Sequence, residues 1–241
     1  MRIYSNSDVG LKRSNNQDAY IAGEFGNGSV FAVVCDGMGG ANGGHVASET
    51  AAKIISDYIV NSYSPKMNGN SIENMLRAAV DSANIEIFEK SKESPDYFGM
   101  GTTVVAAVIR DNLAHIVHVG DSRAYLSTAE GLVQLTTDHS VVQNMIDSGE
   151  ISEDEAKNHP KKNIITRAVG TESTVFCDYD IVIKPENNVL LICTDGLTNF
   201  VSEETIFNVL KNESEENAAK KLTDLANEAG GGDNITVVLV Y

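Results

Sequence analysis

The chain has 241 residues, 42% of them hydrophobic, with 34 acidic against 18 basic side chains and a net charge of −16. That length suits one large or two small domains with a sizeable core, and the charge, with no cluster of Lys and Arg, argues against nucleic acid or an anionic membrane as a partner. No apolar run approaches the roughly 20 residues of a membrane span, residues 1–8 hold no apolar signal region, and three cysteines without ligand spacing fit reduced thiols in the cytoplasm.

In chain order, the apolar, β-branched run at 30–35 reads as a strand. Two helical stripes follow. Ala47, Ala51, Ile54, Ile55, Tyr58 and Ile59 form the first, and Ile72, Met75, Leu76, Ala79, Val80 and Ala83 the second. Runs at 102–109 and 114–119 read as further strands. The segment 137–166 is polar. Val141, Val142, Met145 and Ile146 predict a short helix in it, and Ser152-x-x-Glu155 is a capping box that opens another. It reads as a small subdomain inserted between strands, either a plain surface excursion or the border of a site. Strands are expected at 176–183, 189–193 and 235–240, with a helical stripe of Ala218, Leu222, Leu225, Ala226 and Ala229 before the last. Two consecutive long helices argue against strict βαβ alternation and for segregated strands and helices.

Acidic residues stand where strands end. The run at 30–35 leads into Asp36-Gly37, and 189–193 leads through Thr194 into Asp195-Gly196. The run at 114–119 leads through Gly120 into Asp121, and Asp233 precedes the last strand. If these ends meet at one rim, four carboxylates converge, and like charges so placed need compensation. A divalent cation provides it, and two such ions activate a water for hydrolysis, most often of phosphoryl groups. Oxygen ligands in a chain with five scattered histidines favour Mg²⁺ or Mn²⁺ over zinc. Any single Asp-Gly pair also reads as an ordinary turn. The Gly-rich stretch 36–45 is not a P-loop, since no Gly-Lys-Ser/Thr follows, and as a dinucleotide fingerprint it lacks the third glycine. Arg13 suits bidentate phosphate recognition, or pairs with one of the acids. His115 and His118 flank apolar strand residues and read as structural.

Taken together, the ordered motifs are Arg13-x-x-Asn16-Gln17-Asp18, Asp36-Gly37-Met38-Gly39-Gly40, Gly101-Thr102-Thr103, Gly120-Asp121-Ser122-Arg123, Thr137-Asp138-His139-Ser140, Asp195-Gly196 and Asp233-Asn234-Ile235-Thr236. This series resembles the metal-dependent Ser/Thr protein phosphatases of type 2C in their compact bacterial form, over residues 5–241. The resemblance implies an α+β four-layer sandwich, two packed antiparallel sheets flanked by helices on both outer faces. It implies one catalytic domain over 1–241, with a flap subdomain at about 147–165. It also implies roles. Asp36 would bridge two Mn²⁺ or Mg²⁺ ions, with the Gly37 carbonyl on the second, and Asp195 and Asp233 would complete the first. Asp18 would act through water, Arg13 would hold the substrate phosphate, and Asp121 with Asp195 would hold a third ion.

The expected reaction is hydrolysis of phosphoserine and phosphothreonine by direct attack of a metal-bridging water, without a phosphoenzyme. The expected partners are phosphorylated proteins, substrates of a bacterial Ser/Thr kinase, met by a cytoplasmic monomer with no attached sensor, membrane or regulatory domain. Two alternatives are a pseudophosphatase that only binds partners, against which intact Asp36, Asp195 and Asp233 count, and a phosphatase specialised for an anti-anti-sigma regulator. Some members of the family carry a histidine directly after Asp-Gly, and many bacterial ones after Gly-Met-Gly-Gly. Met38 and Ala41 stand there, which leaves His45 as the nearest histidine in sequence, expected to open the following helix and point away.

Overall fold

The computed structural model covers Met1–Tyr241 and describes all of it except the side chains of Ala41 and Asn42. The Ala41 position, one of the two that lack the family's histidine, therefore lies outside the described side chains.

The strands are β1 (Ile3–Asp8), β2 (Asp18–Glu24), β3 (Val30–Met38), β4 (Gly101–Thr102), β5 (Val104–Arg110), β6 (Leu113–Val119), β7 (Arg123–Ser127), β8 (Leu132–Gln134), β9 (Asp178–Ile183), β10 (Val189–Cys193) and β11 (Ile235–Val240). The helices are α1 (Gly40–Ser62), α2 (Gly69–Lys90), α3 (Val141–Asp147), α4 (Glu153–Ala156), α5 (Asp195–Thr198), α6 (Glu203–Asn212) and α7 (Glu215–Glu228). One sheet runs β1-β11-β10-β7-β8, the other β2-β3-β5-β6-β9, with β4 paired to β3. Every pairing is antiparallel.

Period-2 alternation of β3 divides its side chains between two cores. Val30, Ala32 and Val34 meet Ile192, Val238 and Val240 of the opposite sheet. Phe31, Val33 and Cys35 face the other way, onto Ala51, Ile55, Leu76 and Val80 of α1 and α2. Across the molecule, Leu191, Val237 and Leu239 receive Ile206 of α6 and Ala218 and Leu222 of α7. The result is helix, sheet, sheet, helix, with apolar faces closed on both sides of each sheet, as the α+β sandwich reading expects. Burial on both faces is why the central strands read as continuous apolar runs.

The structure differs from the sequence reading at the edges. β1 and β2 are edge strands; β1, Ile-Tyr-Ser-Asn-Ser-Asp, is mostly polar, and β2, Asp-Ala-Tyr-Ile-Ala-Gly-Glu, holds only a four-residue apolar stretch ended by Gly23. The run at 102–109 is two strands broken at Thr103, whose N–H donates to the Asp36 carbonyl at 2.8 Å. The strand expected from 176 begins at Asp178, because Arg167 and Arg77 bind the carbonyls of Phe176 and Cys177. Among the described residues no helix is long and apolar enough to cross a membrane.

Candidate active site

The two sheets present one rim to a cleft of about 520 Å³, lined by Arg13, Asp36, Gly37, Asp121, Asp195 and Asp233, with Asn163 and Ile165 on its border. Six of the seven residues singled out in the sequence thus meet in one cavity. Asp18 stands behind it, cross-strand partner of Asp36 and 8% exposed.

Neither Asp-Gly pair is a turn. Gly37 lies inside β3 and Gly196 inside α5. A β-carbon at Gly37 would strike the backbone of Gly44, and one at Gly196 would strike the Asn234 carbonyl. Glycine is needed in both places for close approach of backbones. At Gly196 that approach brings the start of α5 against the start of β11, and Asp195 beside Asp233.

The supporting hydrogen bonds come from distant segments. Asp18 Oδ2 accepts from the hydroxyls of Thr194 at 2.9 Å and Thr236 at 2.7 Å. Thr103 Oγ1 accepts from the Asp36 N–H at 3.0 Å and lies 2.7 Å from Ser122 Oγ, tying β3 to the Asp121 turn. His139 holds that turn from the other side. Its N–H donates to the Gly120 carbonyl at 2.9 Å, and its Nδ1 accepts from the Gly120 N–H at 3.0 Å. Asn234 accepts from the Gln17 N–H and donates to the Val9 and Asn15 carbonyls, fixing the loop that carries Arg13. Arg13 Nη2 donates to Asp233 Oδ2 at 2.8 Å, at the exposed mouth of the cleft.

The electrostatics are those of an uncompensated cluster. Burial, followed by repulsion from Asp18, Asp195, Asp121 and Asp233, holds the Asp36 carboxyl well above the usual carboxylate range. Burial likewise raises Asp18, Asp121 and Asp195, and neighbouring carboxylates add to each. Asp195 Oδ2 accepts from Asn199 at 2.8 Å, but Asp195 Oδ1 and Asp18 Oδ1 are buried without a hydrogen-bond partner. Orphaned buried carboxylate oxygens behind and beside an open cleft, in an all-oxygen donor set, fit hard divalent cations.

A second group, His118, His139 and Asp178, also brings potential ligand atoms together. Its donors are already engaged. His118 Nε2 donates to the Thr137 carbonyl at 2.8 Å. Because His139 Nδ1 is an acceptor, Nε2 carries the ring proton and faces Asp178 Oδ2 at 3.3 Å. Arg167 Nη1 lies 2.8 Å from Asp178 Oδ1 and 3.0 Å from His139 Nε2, so a guanidinium stands where a cation would have to sit.

His45 is exposed on α1, 3.4 Å from Glu49 one turn on, and does not line the cleft. Thiol chemistry is also absent from the cleft. Cys35, Cys177 and Cys193 are buried, and burial pushes the Cys193 thiol up to about 12.

The sequence profile of the family described as protein phosphatase 2C matches residues 11–227. This chain belongs to that family. It is 41% identical to the serine/threonine phosphatase Stp of Listeria monocytogenes over 236 residues, 97% of this chain and 93% of that one. The fold is similar to the solved serine/threonine phosphatase of S. agalactiae, with a TM-score of 0.91 and 36% identity over 100% of this chain and 98% of that one. It is also similar to the catalytic domain of the phosphatase PstP in complex with 2 manganese ions, with a TM-score of 0.86 and 33% identity over 99% of this chain and 96% of that one.

Proposed function

We propose that this serine/threonine phosphatase hydrolyses phosphoserine and phosphothreonine of protein substrates in one displacement by water, with no phosphoenzyme. The observation that carries the reading is the rim of buried, mutually repelling carboxylates with unpartnered oxygens, facing a cleft that a phosphorylated side chain can enter. Asp36, the Gly37 carbonyl, Asp195 and Asp233 would together hold two ions. Asp121 with Asp195 would hold a third, and Asp18 would act through water. Mn²⁺ or Mg²⁺ suits this donor set. Ions bound there supply an activated water and offset the charge of the phosphate oxygens.

The chain's own residues do the rest. The Arg13 fork holds the substrate phosphate, exchanging its contact with Asp233 for one with phosphate oxygens. Thr194 and Thr236 keep Asp18 oriented, and Thr103 and Ser122 fix Asp36 relative to Asp121. Residues 147–165 act as a flap. Their segment leaves and rejoins the fold at one hinge, where Ser140 bridges Ile165 and the Val141 N–H donates to the Ile164 carbonyl at 2.9 Å. Asn163 and Ile165 carry it to the cleft. The partners are phosphoproteins made by a Ser/Thr kinase in the cytoplasm.

The test is hydrolysis of an aryl phosphate and of a phosphoserine peptide by the purified protein, in chelator and with added Mn²⁺ or Mg²⁺. Turnover that requires the metal is expected. Absence of metal-dependent turnover on both substrates refutes the reading.

A further inference from the structure

A second cavity of about 380 Å³ adjoins the cleft. Met38 and Ile165 line both, so the two are continuous. Beyond that sill the groove runs along the segment 165–176, where Val175 and Phe176 add apolar surface, and the Phe176 side chain stands 80% exposed.

The wall of this groove is built in advance of any ligand. Asn84 of α2, 1% exposed, accepts from the Gly170 N–H at 2.7 Å and donates to the Glu172 carbonyl at 3.0 Å. Val169 bridges Thr102 of β4. At the near end the Thr166 N–H donates to the His139 carbonyl at 2.8 Å. At the far end Arg167 Nη1 holds the Phe176 carbonyl at 2.9 Å and Asp178 Oδ1 at 2.8 Å. Both ends of the loop are thus tied down while its aromatic ring faces solvent. A large apolar side chain held open on a rigid wall is the usual form of an anchor site.

The charges define the occupant. Arg167 is the only cation among the described residues of the groove, and Asp178 already neutralises it. Glu172 has no ion pair among the described residues. An anion has nothing to bind here. What reaches the groove is whatever lies next to the phosphorylated residue in the cleft. Resting on the phosphatase reading, we propose that this groove is a specificity subsite for the protein substrate, which receives an apolar side chain of a residue flanking the phosphoserine or phosphothreonine. Met38, on the sill, is a flexible thioether, which shapes to such a side chain.

The test uses the full protein and its Phe176→Ala variant on two phosphoserine peptides, one flanked by leucine and one by glycine, and on an aryl phosphate. Full burial of one large apolar side chain corresponds to about tenfold or more. The native protein is expected to prefer the leucine peptide by about tenfold in kcat/KM, and Phe176→Ala to erase the preference while leaving aryl phosphate turnover unchanged. A photo-crosslinking benzoylphenylalanine at the flanking position is expected to label residues 165–176, a readout that does not need turnover. Aryl phosphate turnover with no flank preference, or labelling confined to other segments, overturns the subsite. Labelling at 165–176 in a protein that turns over no phosphate ester supports the groove and overturns the phosphatase reading instead.

Discussion

Two clusters of buried charge lie side by side in this molecule, and they are built on opposite rules. Around Arg123 every charge has its partner. Its Nε and Nη2 reach the two oxygens of Asp138 at 2.8 and 2.7 Å, and its Nη1 donates to the Tyr125 hydroxyl at 2.9 Å. At the rim Asp36, Asp18, Asp121 and Asp195 crowd together, each raised by burial and then by neighbouring carboxylates, with two oxygens unpartnered. A buried ion pair that closes on itself is structural. A buried cluster of one sign is stable only with something from solution. The contrast separates scaffold from site without reference to any relative.

The largest expected effect breaks the uncompensated cluster. Asp36→Asn, Asp195→Ala and Asp233→Ala should each lower kcat by at least about 10²–10³, the cost of removing one electrostatic contact to a transition state. Steady-state kinetics with excess Mn²⁺ checks this. Near-native turnover in any of the three contradicts the assignment.

Next, the two clusters should respond oppositely to neutralisation. Asp138→Asn should destabilise the protein by about 3 kcal/mol, the lower end for breaking a buried pair, because Arg123 is 28% exposed. Asp36→Asn should stabilise the metal-free protein. The sign follows from linkage. The folded state holds the Asp36 proton to higher pH than the unfolded chain does, so it binds more protons as pH rises above about 4, and stability falls through that window. The advantage of Asp36→Asn in chelator should therefore be absent near pH 3.5 and grow toward pH 7. Thermal melts in chelator at both pH values measure it.

Arg13 joins the two kinds of chemistry, a cation on the rim of the anionic cleft. Arg13→Ala should raise KM for a phosphopeptide about tenfold, as expected for a charge-assisted hydrogen bond, and leave Mn²⁺ affinity nearly unchanged, since its pair with Asp233 is half exposed. A large drop in Mn²⁺ affinity by calorimetry would instead make Arg13 an organiser of the carboxylates. The smallest effect is at His45. His45→Ala should cost less than about tenfold on a phosphoserine peptide, below the range of a general acid, because the ring faces Glu49 on the surface of α1.

The parts legible in sequence are those with local cause. Apolar runs and helical stripes mark β3, β5, β6, β10 and β11 and α1, α2 and α7, since each must cover a buried face, whereas the interior strand β7 carries no such run. Asp36, Asp121, Asp195 and Asp233 are legible because each sits beside the end of such a run, whereas Asp18 is reached only through the motif Arg13-x-x-Asn16-Gln17-Asp18. Of the edge strands, β1 is hidden by its polar sequence and β2 by the brevity of its apolar stretch. The supporting contacts of Thr194, Thr236 and Asn234 are hidden for another reason. Their side chains reach Asp18 and the Arg13 loop across separations of 176 to 225 residues, which leaves no spacing to read. Gly37 and Gly196 carry a local signal with a misleading first meaning, a turn, where the fold uses them for close backbone approach.

We propose that the crowded carboxylates are a divalent-metal site. Titration of the metal-free protein with Mn²⁺ in weakly buffered solution near pH 6, with proton release followed alongside heat, tests it most directly. Cations binding to carboxyls held protonated by burial and mutual repulsion must expel those protons. Native protein should bind Mn²⁺ with release of protons, and Asp36→Asn should lose both. Binding of Mn²⁺ without proton release, or with unchanged affinity in Asp36→Asn, would contradict the account.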